Sequence, residues 1–438
     1  MHSVFKLPHS DSLLKYPPFC RRVATTTYIV LNRIWVFFFL SAFAVAGFKY
    51  WVLGDGAVYS EIMTAMFSLS KTAFEIALGL SGVLALWLGI MRIGEHSGFI
   101  QLLTRALNPL FARLMPDIPR DHPALGAMTM NIAANMLGLD NAATPMGIKA
   151  MQAMQSLNPD KDRASNAQIL FLVINTSSVT LFPVTIFAYR AQLGAANPTD
   201  VFIPILIATY ISTLAGLLAV AAVQKINLLD KVVMAYLGGI TALVAGLLAY
   251  FMRLDQAEML RQSALLSHVI LFGLVIAFIA AASYQRLNAY DLFIDGAKEG
   301  FQIAIGIIPY LVAMLVAFGV FRASGALTLI TEGVRAVVQA LGLDDRFIDG
   351  LPTALMKPFS GSGARAMMID TMQRHGADSF AGRLASVVQG STETTFYVLA
   401  VYFGSVNIKH IRHAAACGLI ADFAGIGAAI FVSYWFFG

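Results

Sequence analysis

The 438-residue chain is short of charge. Asp, Glu, Lys and Arg make up 13% of it, where a soluble domain carries roughly 25%. Charged side chains keep a folded surface in water, so the deficit excludes a large water-soluble enzyme. Cysteine is nearly missing, and its two copies, Cys20 and Cys417, lie far apart, which excludes a disulfide framework or a thiolate metal centre. No basic block offers a surface to nucleic acid: 30 Lys and Arg against 25 Asp and Glu give +5, spread along the chain. G-x-S-x-G, H-E-x-x-H and Walker A segments are absent, so nothing points to ATP hydrolysis or to a nucleophile–base pair. Gly361-Ser-Gly-Ala-Arg-Ala366 loosely imitates a dinucleotide fingerprint but lacks the parallel-sheet context that motif needs.

What remains is apolar. Hydrophobic residues are 58% of the chain and the mean hydropathy is +0.71. Stretches near the roughly 20 residues that cross a bilayer occur at Tyr28–Phe48, Thr72–Met91, Ile169–Tyr189, Val201–Val223, Val232–Phe251, Leu265–Ala282, Gln302–Phe321, Leu384–Phe403 and Ala414–Phe437. The composition predicts an all-α, multi-pass membrane protein. Lys6, Lys15, Arg21 and Arg22 precede the first stretch, and Lys225, Lys231, Arg286, Lys298, Lys409 and Arg412 fall in loops on the same side by an alternating count. The positive-inside bias then places the N-terminus in the cytoplasm.

The chain also repeats itself. Phe74-Glu-Ile-Ala-Leu-Gly79 returns as Phe301-Gln-Ile-Ala-Ile-Gly306, and Arg92–Gly98 parallels Arg322–Gly325. Amphipathic stretches follow at Phe99–Met115 and Ala326–Leu341, then small polar segments at Asn141–Pro145 and Ser360–Gly363. Last come two Ser/Thr-rich tracts, Asn175–Thr180 and Gln389–Thr394. Three plain helices between Val201 and Ala282 supply an odd number of crossings, so the second copy runs inverted relative to the first. The resulting division is an N-terminal segment (1–71), repeat 1 (72–200), linking helices (201–283) and repeat 2 (284–438).

Lipid offers no hydrogen bonds, so polar residues at membrane depth need a partner, a cavity or a ligand. Asn131 and Asn135 share a helix face, and Asp140, Asn141 and Thr144 precede Pro145, which is expected to break the helical ladder. Asn175, Thr176, Ser177 and Ser178 form a third cluster. Ser360 and Ser362 sit in the breaker-rich Lys357–Gly363 segment, and Gln389, Ser391, Thr392, Glu393 and Thr394 form the last. Single Ser and Thr residues serve helix packing about as often as function. Glu393 stands apart, because a carboxylate within an apolar stretch is costly and marks function by default. These residues are the predicted contacts of a solute or coupling ion; no metal ligands and no resident cofactor are expected.

The segment Asn131-Ile-Ala-Ala-Asn-Met-Leu-Gly-Leu-Asp-Asn-Ala-Ala-Thr-Pro-Met-Gly-Ile-Lys-Ala-Met151 resembles spore maturation protein A. Ser360–Gly363, Asp378–Ser386 and Gln389–Tyr397 resemble spore maturation protein B. The likeness covers about residues 70–190 and 285–438 and identifies a fused A/B form with two Gate (nucleoside-recognition) domains, the domain also found in concentrative nucleoside transporters and the membrane part of ferrous-iron transporters. It implies two inverted Gate repeats with re-entrant or broken helices and interfacial amphipathic helices. In the nucleoside carriers a Gln-Thr-Glu element at a hairpin tip contacts substrate; Gln389, Thr392 and Glu393 are its nearest match here, with Gly390-Ser391 interposed. The expected function is secondary transport of a small polar solute, nucleoside-like or another metabolite, across the bacterial cytoplasmic (inner) membrane, coupled to H+ or Na+. A non-transporting sensor or assembly module and a metal-ion carrier are the alternatives. Homo-oligomerisation is left open.

Overall fold

A computed structural model of the chain describes residues 18–119, 121–136, 140–177 and 180–438, with side chains from residue 32 onward except 140–142. All its regular elements are helical. Among the described residues, seven helical segments are long and apolar enough to cross a membrane, including Asn32–Val52, Val58–His96 and Ala414–Phe437. Two stretches expected to be continuous spans, Ile169–Tyr189 and Leu384–Phe403, are each two short helices with a break between. Pro183, which has no N–H to give, stands at the entry to the second piece of the first pair. In the second pair, extended backbone at Thr392 and Thr394 ends one piece and starts the next.

In chain order, α1 (Pro18–Val52) and α2 (Val58–His96) lead into α3 (Phe99–Leu114), the hairpin α4 (Pro123–Met136) and α5 (Asp140–Leu157), the broken pair α6 (Asn166–Ser177) and α7 (Val184–Gln192), and α8 (Phe202–Gln224). The linkers α9 (Lys231–Phe251) and α10 (Gln256–Tyr284) bury few residues, as lipid-facing helices do. The second series is α11 (Ala289–Gly306), α12 (Ile308–Ala323), α13 (Ala326–Ala340), the hairpin α14 (Leu351–Met356) and α15 (Gly361–His375), the broken pair α16 (Phe380–Ser391) and α17 (Thr395–Ser405), and α18 (Ala414–Phe437). The stretch Gln302–Phe321 is thus divided at Ile307, with a proline at the start of α12. By contrast, α5 runs on through Pro145, so that proline does not end the helix.

The two series match element for element. Both amphipathic helices begin after a left-handed glycine, Gly98 at φ 79° and Gly325 at φ 88°, a conformation that side-chain-bearing residues rarely adopt. Equivalent helices pack on each other: α2 against α11 and α12, and α8 against α18. Two equivalent loop junctions prove the inversion. The α5–α6 loop of repeat 1 meets the α17–α18 loop of repeat 2, where the Lys409 and His410 amides bond Asp162 O at 2.8 and 2.9 Å. Its counterpart joins the α7–α8 loop to the α15–α16 loop through Arg190, Asp200 and Asp378. The second junction lies at the N-terminal end of α8. The first lies at its C-terminal end, where Gln224 bonds Asn166 O and His413. The 23-residue helix holds them about 34 Å apart, so the repeats are related by a two-fold in the membrane plane.

The seam between α2 and α11 is glycine-lined. Gly296 and Gly300, spaced as a G-x-x-x-G pair, lie on the backbone of Leu88 and Leu84, and a Cβ at residue 300 would stand 2.6 Å from Leu84 O. Backbone cannot swing aside, so Gly300→Val is expected to cost more than the roughly 1–3 kcal/mol of ordinary overpacking. The check is the unfolding midpoint in detergent beside Gly333→Val, whose position on α13 is open and where little change is expected. At the far end of α13, Arg335 binds Asp345 at 2.9 Å and Asp349 at 3.0 Å. Arg346 beside Asp344 holds that carboxyl down at about 2. These contacts anchor the interfacial helix to the loop that enters the second hairpin.

Candidate functional site

Helix breaks expose backbone groups where lipid cannot satisfy them, and both breaks lie at the same depth, near the middle of α8 and α18. Thr209 and Thr213 of α8 donate to Ser177 O, the last carbonyl of α6, at 3.3 and 3.4 Å. Gly418 and Gly425 of α18 lie against Thr395 and Thr392 at the other break. The breaks touch directly: the Glu393 amide donates to Thr176 O at 2.8 Å. A backbone bond therefore joins the two Ser/Thr-rich tracts.

Beside this crossing is a cavity of about 100 Å³ lined from both repeats. Repeat 1 contributes Asn135 and Thr180–Ile186; repeat 2 contributes Lys357, Arg365, Gln389 and Glu393 among others. Such a volume holds several waters or a small polar group. Gln389 Oε1 and Thr392 Oγ1 are buried without a hydrogen-bond partner. Helix N-termini converge here too: α7, which opens at Val184, and α15, which opens at Gly361 with Ser360 as its cap (Gly363 N to Ser360 Oγ 3.0 Å). Their dipoles add positive potential. A larger hollow of about 620 Å³ lies instead at the loops around Met115 and Lys225, outside the repeat interface.

Of the predicted residues, Asn135, Gln389, Thr392 and Glu393 line the cavity. Asn175 stands behind, its Oδ1 accepting from Asn135 Nδ2 at 2.7 Å. Thr394 is set against Gly361, and Ser360 and Ser362 are paired at 3.2 Å at the hairpin tip. Asn131 is a clamp between elements, donating to Ala143 O at 2.7 Å and Tyr402 OH at 3.2 Å, with Oδ1 left over. Thr176, Ser177 and Ser391 bond back to carbonyls three residues earlier. Thr144 is half-buried on α5, while the side chains of Asp140 and Asn141, and all of Ser178, lie outside the described residues.

Three groups at the site escaped the sequence reading: Lys357, Arg365 and Asp422. Lys357 is 3% exposed at the tip of the second hairpin, and Arg365 lies over the Tyr189 ring of repeat 1 at 5.8 Å. Asp422 is 1% exposed in the middle of α18. Each is a lone charge in an apolar or small-residue stretch, the same signal that singled out Glu393.

Two inverted helical repeats with a small polar cavity between them define a multi-pass membrane protein. The family model described as Gate, nucleoside recognition, matches residues 77–193 and 304–409, half of the chain, and the chain belongs to that family, in a form carrying two copies. Spore maturation protein A of Bacillus subtilis (strain 168) is 40% identical over 189 residues, 43% of this chain and 93% of the relative. Spore maturation protein B of the same organism is 47% identical over 154 residues, 35% of this chain and 85% of the relative. The solved structure of CNTnw in an inward-facing substrate-bound state aligns with 98% of this chain and 89% of its own, at 13% identity and a TM-score of 0.38.

Proposed function

We propose that the protein is a secondary carrier of a small polar solute, which it holds in the cavity between the two breaks. The observation that carries this reading is the lining itself: the unpartnered buried amide oxygen of Gln389 and the Glu393 carboxylate, both of repeat 2, line one cavity with the broken segment of repeat 1. Lys357, Arg365 and the N-termini of α7 and α15 present positive potential on one side, and Glu393 and Gln389 present acceptors on the other. The fitting solute carries an anionic or acceptor-rich end together with donor groups, a description that admits carboxylated metabolites and polar nucleoside derivatives. The membrane is the bacterial inner membrane in this reading. Lys225, Lys231, Lys409 and Arg412 gather at the C-terminal end of α8, which is then the cytoplasmic end, and the N-terminus lies on the same side.

The test uses proteoliposomes. A solute is first chosen by the thermal stabilisation it gives the purified protein, since a ligand that raises stability binds the native state preferentially. Glu393→Gln is then expected to cut its transport by at least about tenfold, as losing one member of a desolvated charged contact does. Unchanged uptake and efflux of every stabilising solute in that variant would end the carrier reading.

A further inference from the structure

A carboxylate buried in the middle of a membrane-spanning helix is too costly to keep without a counter-charge, and Asp422 has no hydrogen-bond partner on either oxygen. It lies between Gly418 and Gly425 on the α18 face turned toward the second break. The hydroxyls of Thr392 and Thr395 lie within reach of its carboxylate, and both hydroxyl oxygens are buried with no other partner. Four oxygens from three residues thus converge on one buried spot.

We infer that Asp422, Thr392 and Thr395 form a binding site for a monovalent hard cation, Na+, behind the solute cavity. All the donors are oxygens, which select alkali and alkaline-earth ions over softer metals. Among the described residues no group of three or more His, Cys, Asp and Glu could hold a transition metal. The single carboxylate, with the Lys357 ammonium and the Glu393 carboxylate as its charged neighbours, balances one positive charge rather than two. Helix ends reinforce the arrangement. The N-terminus of α17 at Thr395 stabilises the carboxylate, and the last carbonyls of α16, which have no intrahelical partner, offer their negative end to the cation. The two hydroxyls can donate to the carboxylate but leave its charge in place; a coordinated cation balances that charge and engages all four oxygens. Among the described residues of repeat 1, Thr209, facing the first break from α8, donates its hydroxyl to Ser177 O. The site lies beside the cavity and stands whether or not the chain carries a solute.

Equilibrium binding to the purified full-length protein tests this. At constant ionic strength in a choline background and fixed pH, Na+ is expected to raise the unfolding temperature saturably, while further choline does not. Asp422→Asn is expected to abolish the Na+ dependence while keeping the Na+-free melting temperature and a monodisperse elution. Thr392→Val and Thr395→Ala keep a carboxylate and are expected to weaken Na+ roughly ten- to hundredfold, as lost partners at metal sites do. Persistence of the Na+ shift in Asp422→Asn, or of full Na+ affinity in both threonine variants, overturns the assignment. So does stabilisation that follows pH with no response to Na+, which would make Asp422 a proton site. Because no solute is present, failure here leaves the transport measurement with Glu393→Gln untouched.

Discussion

Arg190→Met is expected to destabilise the protein more than any other single change outside the solute cavity, by about 3–5 kcal/mol, the loss seen when one member of a buried ion pair is removed. The side chain is fully buried, and its polar contacts tie its own loop to the facing loop of repeat 2. It binds Asp200 at 2.8 Å and Asp378 at 3.1 Å, and donates to Ala377 O at 2.7 Å and Pro198 O at 3.2 Å. Asp378 and Ala377 belong to repeat 2, whereas Asp200 and Pro198 belong to repeat 1. Methionine fills similar space but leaves two carboxylates sharing Arg383, which reaches Asp200 at 2.7 Å and Asp378 at 3.7 Å. Arg190→Lys should recover only part of the loss, because an ammonium cannot reproduce the planar fork that serves carboxylates and carbonyls together. The comparison is Lys409→Ala at the opposite junction. Its pair with Asp162 is more than half exposed, and such pairs contribute no more than about 1 kcal/mol. Unfolding midpoints of the three variants in one detergent decide the matter; equal shifts for Arg190→Met and Lys409→Ala would show that the buried cluster does not lock the repeats.

The same junctions show what could be read in advance. Duplication was legible because its markers are local in sequence: an arginine-to-glycine segment before each amphipathic helix, Arg92–Gly98 and Arg322–Gly325, and a Ser/Thr tract at each break. Inversion was legible from crossing parity. The precise positions of the breaks were not. Leu384–Phe403 reads as an uninterrupted apolar span, since Thr392–Thr394 carries no proline or run of glycines, and what holds it extended is tertiary: the bond from Glu393 N to Thr176 O and the packing of Gly418 and Gly425 against it. Lys357 and Arg365 were hidden for a different reason. Hydropathy gives the order of crossings but not the depth reached by a hairpin that enters and returns, so a cation at its tip looks like a surface loop charge. Asp422 was within reach, because Gly418, Asp422 and Gly425 share one helical face and a lone acid inside Ala414–Phe437 obeys the rule applied to Glu393.

Replacing the cavity cations should separate recognition from folding. Lys357→Gln and Arg365→Gln are each expected to weaken the stabilising solute by about 2–5 kcal/mol, the effect of truncating one partner of a desolvated charged contact, or from some thirtyfold to several thousandfold in Kd. Lys357 should show the larger effect. It is nearly inaccessible, so a ligand group that meets it does so away from water, where an unscreened charge acts most strongly. Arg365 is half-buried and rests on Tyr189, so glutamine there loses stacking as well as charge, and Arg365→Lys should restore only the charge. The N-termini of α7 and α15 remain in both variants and set a floor on the residual binding of anions. Calorimetric titration of wild type and the three variants, with a carboxylated and an uncharged analogue of the chosen solute, reads these differences directly. A loss confined to the carboxylated analogue assigns its negative group to Lys357 and Arg365. Equal affinity of all proteins for both analogues would mean that the cations serve the hairpin alone, and the solute would then be recognised from the Gln389 and Glu393 side.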